Sequence, residues 1–142
     1  LSGRIAESGG EVVVETPMPT LTADASQLVR LFENLFTNAL KFSRPGVAPV
    51  VRVRAKRDGQ SWHFEVEDNG IGIDPAYAVK VFEMFHRLNP VGAYPGTGIG
   101  LAVCKRIIAR HAGSMGLRQK EDEGSIFWFC LPNKQVVAGE LW

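Results

Sequence analysis

The chain has 142 residues, 45% of them hydrophobic and 22% charged, which fits one globular domain with a core of its own. With 16 basic and 15 acidic residues the net charge is +1, so the overall charge gives no attraction to nucleic acid or to an anionic membrane. No apolar run approaches the ~20 residues that a membrane-spanning helix needs.

The first residues indicate a piece of a longer protein. Residues 1–10 begin without Met and end in Gly9 and Gly10, and paired glycines are typical of the end of a helix or of a linker. The sequence "EVVVET", 11–16, is rich in β-branched residues and predicts a short strand.

The first predicted helix, 24–42, has an apolar side and a polar side. It begins at Asp24, a good N-cap residue. Asn34, Asn38 and Lys41 lie within about 60° of one another beside the apolar stripe. An amide oxygen suits Mg²⁺ and an amine suits a phosphate, so this side is either part of a phosphate site or a solvated helix face. The apolar residues at helical spacing are Leu28, Leu31, Phe32, Leu35, Ala39 and Phe42.

A hairpin and a long irregular segment come next. Residues 50–68 alternate in polarity around Asp58 and Gly59, which predicts two antiparallel strands. Segment 69–97 contains one short amphipathic helix, around 76–88.

A second strong helix, 98–113, ends at Gly113, and the stretches "SMGLRQKE" and "GSIFWFCLP" predict a closing hairpin. The order of elements is therefore β-α-β-β, then the long segment 69–97, and then α-β-β. This order favours an α+β layer, largely antiparallel, with the helices on one face of the sheet.

The two cysteines lie in apolar segments without the spacing of a metal site. We therefore expect Cys104 and Cys130 to be buried free thiols of a protein in a reducing compartment.

The first glycine segment, "EDNGIGIDP", follows a predicted strand. Gly70 and Gly72 have no side chains, so a flat ring has room to lie against the backbone there. Asp68, at the end of the strand, is a candidate acceptor for an exocyclic amine. The alternative is an ordinary Asn-Gly turn.

The second glycine segment, "GTGIG" at 96–100, opens a helix. Free N–H groups and the positive end of a helix dipole bind phosphate oxygens, although glycine also simply caps helices. The segment is neither a dinucleotide-binding Gly-x-Gly-x-x-Gly nor a Walker Gly-Lys-Ser/Thr motif.

The two glycine segments bracket residues 73–95. A connection of more than about 15 residues in a compact domain is usually functional, so we expect a lid that swings over a nucleotide and is the most mobile part of the free domain. Phe82, Met84, Phe85 and Leu88 give it an apolar face, for which plain core packing is the alternative.

Taken together, four stretches resemble the nucleotide-binding boxes of the catalytic, ATP-binding domain of sensor histidine kinases. They are "NLFTNALKF", "EDNGIGID", "VFEMFHRL" and "GTGIGLA", in the family's order and spacing. The resemblance covers nearly the whole chain, and the third and fourth stretches lean toward phytochrome-like and multi-sensor kinases.

The resemblance implies the Bergerat (GHKL) fold, an α+β two-layer sandwich of a mixed, mostly antiparallel sheet on three helices with an ATP lid. It places this ATP-binding domain at 11–135, after the end of a dimerisation helix or linker at 1–10 and before a tail at 136–142. It also implies Mg²⁺ and ATP as ligands and transfer of the γ-phosphoryl group to a histidine.

The residue roles are likewise implied by the resemblance. Asn38 would bind Mg²⁺, and Asn34 and Lys41 would lie near the phosphates. Arg87 would reach the γ-phosphate from the lid. The residues that would serve catalysis are Asn38, Lys41 and Arg87. Asp68 would bind the adenine amino group. The remaining nucleotide contacts are Gly70 and Gly72 at the floor of the base pocket, Gly96, Thr97, Gly98 and Gly100 around the triphosphate, and Ile73, Phe82, Ile99, Leu101 and Ser125.

Two features depart from the family pattern. The last hairpin has "DEGSIF" where Gly-x-Gly-Ser-Thr-Phe is usual, so Asp122 replaces a glycine and Ile126 a threonine. The phosphoacceptor histidine is also missing, because no histidine here is followed by an acidic residue on a dimerisation helix. The implied partners are therefore a dimerisation domain of the same protein, in a homodimeric parent, and a response regulator. We expect that neither nucleic acid nor a membrane contacts the domain, and that the domain is cytoplasmic in a parent that is either soluble or membrane-attached.

Two other functions remain open. Hydrolysing relatives of this superfamily carry a glutamate base where this chain has Asn34, and an amide cannot take a proton from water. A nucleotide-binding module without catalysis is the second alternative.

Overall fold

The computed structural model describes residues 9–19, 25–73, 82, 100–120 and 124–132. Within them are two helices and five strands. In chain order these are β1 (Glu11–Val14), α1 (Ala25–Lys41), β2 (Val50–Asp58), β3 (Ser61–Asp68), α2 (Gly100–Arg110), β4 (Ser114–Gln119) and β5 (Ser125–Pro132).

The five strands form one mixed sheet in the order β1-β2-β3-β5-β4. β1 pairs parallel with β2, and every other pair is antiparallel. β2 and β3 are joined at the expected place, since Asp58 pairs with Ser61 and Gly59 has a φ of 62° that suits a tight turn. The predicted α+β class and the mixed sheet are confirmed.

Both helices pack on one face of this sheet, and the alternation of the strands explains why. Every second residue of the central strands is buried, as successive side chains of a strand point to opposite faces. The centre of the core is aromatic: the ring of Phe129 stacks on Phe64 at 4.8 Å and meets Phe32 of α1 edge-on at 5.7 Å. These contacts fix α1 over β3 and β5.

The helix and strand predictions agree with the structure within a few residues. The predicted helix 24–42 is observed as α1, and the helix predicted at 98–113 is observed as α2, which ends at Arg110, three residues before the predicted end. The short helix predicted around 76–88 lies outside the described residues except for Phe82, and so do residues 1–8 and the predicted tail 136–142. The third helix that the resemblance implies is not among the helices of the described residues. In the part of the chain that the structure describes, no helix is long and apolar enough to cross a membrane.

One prediction about the cysteines was wrong. Both thiols are free, but only Cys104 is buried, whereas Cys130 is half-buried. Cys130 lies on the sheet face away from the helices, because its neighbours Phe129 and Leu131 point into the core.

Candidate functional site

The polar side of α1 lies between the start of α2 and the loop after β3. A side chain added at Gly100, the first residue of α2, would touch the Asn34 carboxamide at 3.9 Å. At the other end of α1, the carbonyl of Phe42 accepts a hydrogen bond of 2.8 Å from the backbone N–H of Ile71. The first glycine segment and Gly100, the last residue of the second, are thereby brought to the same helix.

Asp68 is the buried carboxylate of this region, with 7% of its surface exposed. Its Oδ1 accepts hydrogen bonds from the backbone N–H of Gly70 at 2.9 Å and of Ser125 at 3.3 Å. Burial raises the pKa of the Asp68 carboxyl, and these two N–H donors act against the rise. Among the described residues no hydrogen bond reaches Oδ2, so one carboxylate oxygen is left to accept from a ligand.

Three glycines around Asp68 are required by close backbone contacts or by their backbone conformation. A Cβ at Gly70 would lie 2.3 Å from the Phe42 carbonyl oxygen, and one at Gly124 would lie 2.1 Å from the Asp68 carbonyl oxygen. Gly72 and Gly124 also have φ angles of 82° and 114°, which side chains rarely adopt. The "DNGIG" segment is therefore more than a turn, because its shape fits the end of α1 and the start of β5.

Asn69 fixes this segment from its other side. Its Oδ1 accepts from the N–H of Val50 at 2.9 Å, its Nδ2 donates to the carbonyl of Ala48 at 3.1 Å, and its own carbonyl accepts from Arg44 Nε at 3.0 Å. Asn69 is not among the site residues predicted from the sequence, although the Asn-Gly pair is an available signal for it. Gly124, the glycine that "DEGSIF" keeps, and Lys120, for which the sequence has no signal, are also not among them.

The polar stripe predicted on α1 is not a solvated face at Asn38. This residue is 7% exposed, and within the described part of the chain its carboxamide forms no hydrogen bond. Lys41 and Asn34 are half-buried. Asn34 hydrogen-bonds the thiol of Cys104. Burial raises the pKa of this thiol to about 12, and the hydrogen bond with Asn34 acts against that rise.

These residues fit a magnesium nucleotide. A buried amide oxygen without a protein partner is a suitable ligand for Mg²⁺, which commonly takes few protein ligands and completes its shell with water and phosphate oxygens. No cluster of three or more His, Cys, Asp or Glu side chains suited to a metal occurs among the described residues.

The other predicted contacts fall into two groups. Ile73, Phe82 and Leu101 are buried, and Phe82 meets the ring of Phe127 edge-on at 6.2 Å with Lys105 Nζ 5.1 Å from its own ring. Phe82 therefore packs on the core in this structure. Arg87, Gly96, Thr97, Gly98 and Ile99 lie outside the described residues.

Comparison with known proteins places these features in a family. Residues 23–135 match the family model described as "Histidine kinase-, DNA gyrase B-, and HSP90-like ATPase". Cyanobacterial phytochrome A of Nostoc sp. is 44% identical over 132 residues, 93% of this chain, and phytochrome-like protein Cph1 of Synechocystis sp. is 43% identical over the same share. The chain spans 17% of the length of each of these relatives.

Solved structures agree with the sequence comparison. Full-length ShkA in complex with AMPPNP matches 99% of this chain and 29% of its own, with a TM-score of 0.77 and 32% identity. The mycobacterial sensor histidine kinase MprB matches 95% of this chain and 88% of its own, with a TM-score of 0.75 and 29% identity. The chain thus belongs to the family of histidine kinase-, DNA gyrase B- and HSP90-like ATPases, in which it is an ATP-binding catalytic domain of the sensor histidine kinase type.

Proposed function

We propose that this domain binds Mg-ATP and transfers its γ-phosphoryl group to a histidine on a separate dimerisation domain of the same protein. The observation that supports it best is the environment of Asp68, a buried carboxylate with one oxygen held by backbone N–H groups and the other without a donor among the described residues. Such an oxygen suits the exocyclic amine of adenine. The carbonyl-bearing edge of guanine offers no donor at that position.

Asn38, Lys41 and the start of α2 are proposed to bind the phosphates. Asn38 would hold Mg²⁺, Lys41 would add a positive charge, and the N–H groups beginning at Gly100 would face phosphate oxygens. A bound magnesium ion neutralises charge on the moving phosphoryl group. The roles of Arg87, Gly96, Thr97, Gly98 and Ile99 remain part of the same proposal.

Transfer is favoured over hydrolysis because Asn34 cannot act as a base. It lies next to Gly100 and hydrogen-bonds the Cys104 thiol. A carboxamide does not take up a proton from water at neutral pH. Glu33, the neighbouring acid, is exposed on another side of α1. Water at the γ-phosphate would therefore meet no general base from this helix.

The partners follow from this chemistry. The acceptor histidine and the dimerisation helices would belong to the rest of a homodimeric parent, and the phosphoryl group would pass to a response regulator. The free thiols of Cys104 and Cys130 support a cytoplasmic location.

The test is calorimetric titration of the chain with a non-hydrolysable ATP analogue and with its guanine counterpart. We expect one site that prefers adenine, and we expect Asp68→Asn to weaken ATP binding about tenfold or more, because half of the amide is a donor facing the adenine amine. Exposed Asp58→Asn, at the distant β2–β3 turn, is the matched control. An Asp68→Asn variant that binds ATP as tightly as the parent and still rejects the guanine analogue would exclude the assignment.

A further inference from the structure

Lys120, directly after β4, reaches the end of β3 from a strand that is not its neighbour in the sheet. Its Nζ lies 3.1 Å from Glu67 Oε2 and 3.5 Å from the backbone oxygen of Asp68. The other oxygen of Glu67 accepts from Arg54 at 2.9 Å. Lys120 is therefore held by a carboxylate that is itself fixed, and the lysine side chain is only 20% exposed.

The same residue provides the positive charge that acts on the Asp68 carboxyl. Burial disfavours the ionised form, and so does the neighbouring negative charge of Glu67. The N–H groups of Gly70 and Ser125 and the charge of Lys120 favour it. The loop after β3 and the strand β5 act on the carboxyl through the backbone N–H groups of Gly70 and Ser125. Lys120, directly after β4, acts on it with a full positive charge.

We infer that Lys120 is a positioning residue for nucleotide binding, whose contacts with Glu67 and with the Asp68 carbonyl hold the end of β3 in place beside a fixed positive charge. The inference rests on the proposed function, since it takes Asp68 as the acceptor of the adenine amine. Lys120 acts through Asp68 and is not assigned a contact with the nucleotide.

A pH profile separates this role from a merely structural one. The carboxylate accepts from the adenine amine when ionised, so ATP affinity falls as the pH drops through the pKa of Asp68. Replacing Lys120 by Met removes the opposing charge and raises that pKa. The loss of affinity on acidification should then begin roughly half a pH unit or more above the parent.

The experiment compares ATP affinity across pH for the parent chain, Lys120→Met, Lys120→Arg and Lys56→Met. Lys56 is an exposed lysine on the same outer face of the sheet, so its replacement removes one charge without touching Asp68. We expect a shifted profile for Lys120→Met, and parental profiles for the other two variants. The titration of ATP itself is common to all of them and cancels in the comparison.

The inference is overturned if the Lys120→Met profile coincides with the parent or if its affinity falls by the same factor at every pH. If circular dichroism shows that the Met variant does not fold, Lys120→Gln tests the same shift. Asp68→Asn, measured alongside, tests the proposed function separately: full ATP affinity in that variant rejects the adenine assignment, whereas weak binding there with no shift on replacing Lys120 rejects only the inference.

Discussion

Asp68 combines a close backbone contact with a chemical role. Its carbonyl oxygen is approached by Gly124 and Lys120, while its side chain accepts from Gly70 and Ser125. A residue that is held at its backbone carbonyl and at one carboxylate oxygen has little freedom to turn. Its orientation therefore depends on the residues that meet the end of β3.

Replacing Gly124 by Ala should displace Asp68. The added Cβ would lie 2.1 Å from the Asp68 carbonyl oxygen at a φ of 114°, so we expect a loss of about 2 kcal/mol in stability and of about tenfold in ATP affinity. Thermal denaturation and calorimetry measure the two effects. Gly59→Ala is the control, since Gly59 has a φ of 62° and open space around it. Gly59→Ala should lower the stability without changing the ATP affinity. An equal loss of affinity in Gly59→Ala would show that the contact of residue 124 with the Asp68 carbonyl is not the cause.

Replacing Asn38 by Ala should remove the dependence of ATP binding on Mg²⁺. The buried carboxamide has no hydrogen bond within the described residues, so its loss costs little internal bonding while the proposed metal ligand disappears. Titrations with and without Mg²⁺ measure the difference, and exposed Glu33→Ala on the same helix is the control. Retained magnesium dependence in Asn38→Ala would count against Asn38 as the ligand.

At the scale of the elements, the end of α2 contains a strained residue. Ala112 follows the helix with a φ of 59°, and the next N–H, that of Gly113, donates to the carbonyl of Ile108 at 3.0 Å. A left-handed residue after the last turn is a common way to end a helix, and glycine is the residue that does so without strain.

Ala112→Gly should therefore stabilise the domain by about 0.5–1 kcal/mol, because the relief of strain exceeds the added freedom of the unfolded chain. Ala109→Gly, one turn earlier at an exposed position of α2, should destabilise it by about 1 kcal/mol. The melting temperatures of the two variants should move in opposite directions. Equal decreases in both would show that Ala112 carries no strain.

The face of the sheet away from the helices is joined by ion pairs across β2, β3 and the residue after β1. Arg54 contacts Glu15 at 2.8 Å, Glu65 at 3.0 Å and Glu67 at 2.9 Å, and Arg118 also binds Glu65. Burial acts to raise the pKa of Glu65 and Glu67, but the hydrogen bonds from Arg54 and from their second cations outweigh it and hold both pKa values below the usual range.

This network should make the domain sensitive to acid. Glutamates whose pKa is lowered by folding stabilise the fold above their unfolded pKa of 4.5, and this contribution disappears as the pH falls through the lower folded values. Denaturant unfolding at a series of pH values should show the free energy of unfolding falling below about pH 4.5. In Arg54→Met the free energy of unfolding should be lower at neutral pH and should fall less steeply on acidification. A slope equal to the parent's would contradict the ion pairs of Arg54 as the cause of the acid sensitivity.

At the scale of the whole molecule, the chain contains the proposed nucleotide site, whereas neither histidine in the described part of the chain has the setting of a phosphoacceptor. His63 stacks on Trp128 at 5.9 Å and lies 3.2 Å from the Cys130 thiol, and His111 binds the Ile107 carbonyl at the end of α2. Both are parts of the domain's own packing.

The isolated chain should therefore neither label itself from radiolabelled ATP nor release phosphate at an appreciable rate. Supplied with the dimerisation domain of its own parent, it should transfer phosphate to the histidine there, and Asn38→Ala should abolish that transfer. Rapid phosphate release by the chain alone would instead support a hydrolase. Transfer by Asn38→Ala at the parental rate would contradict the assignment of Asn38 as the magnesium ligand.

The sequence by itself determined most of the described elements and was sufficient to propose the candidate site. Local periodicity is sufficient for α1, α2 and the β2–β3 hairpin, because helix and strand repeats are properties of neighbouring residues. The four boxes similarly identified the family, now confirmed, and selected Asp68 and Asn38, both of which are buried polar residues in the structure.

Only the tertiary structure decided what surrounds those residues. It placed β5 between β3 and β4, which brings Ser125 and Gly124 onto Asp68 and lets Lys120 reach the same strand end. It also left Cys130 half-buried on the outer face, in a segment that is apolar in sequence. Such contacts join residues more than 50 positions apart, and they form because strands pair and pack as a whole, so no local pattern of residue types encodes them.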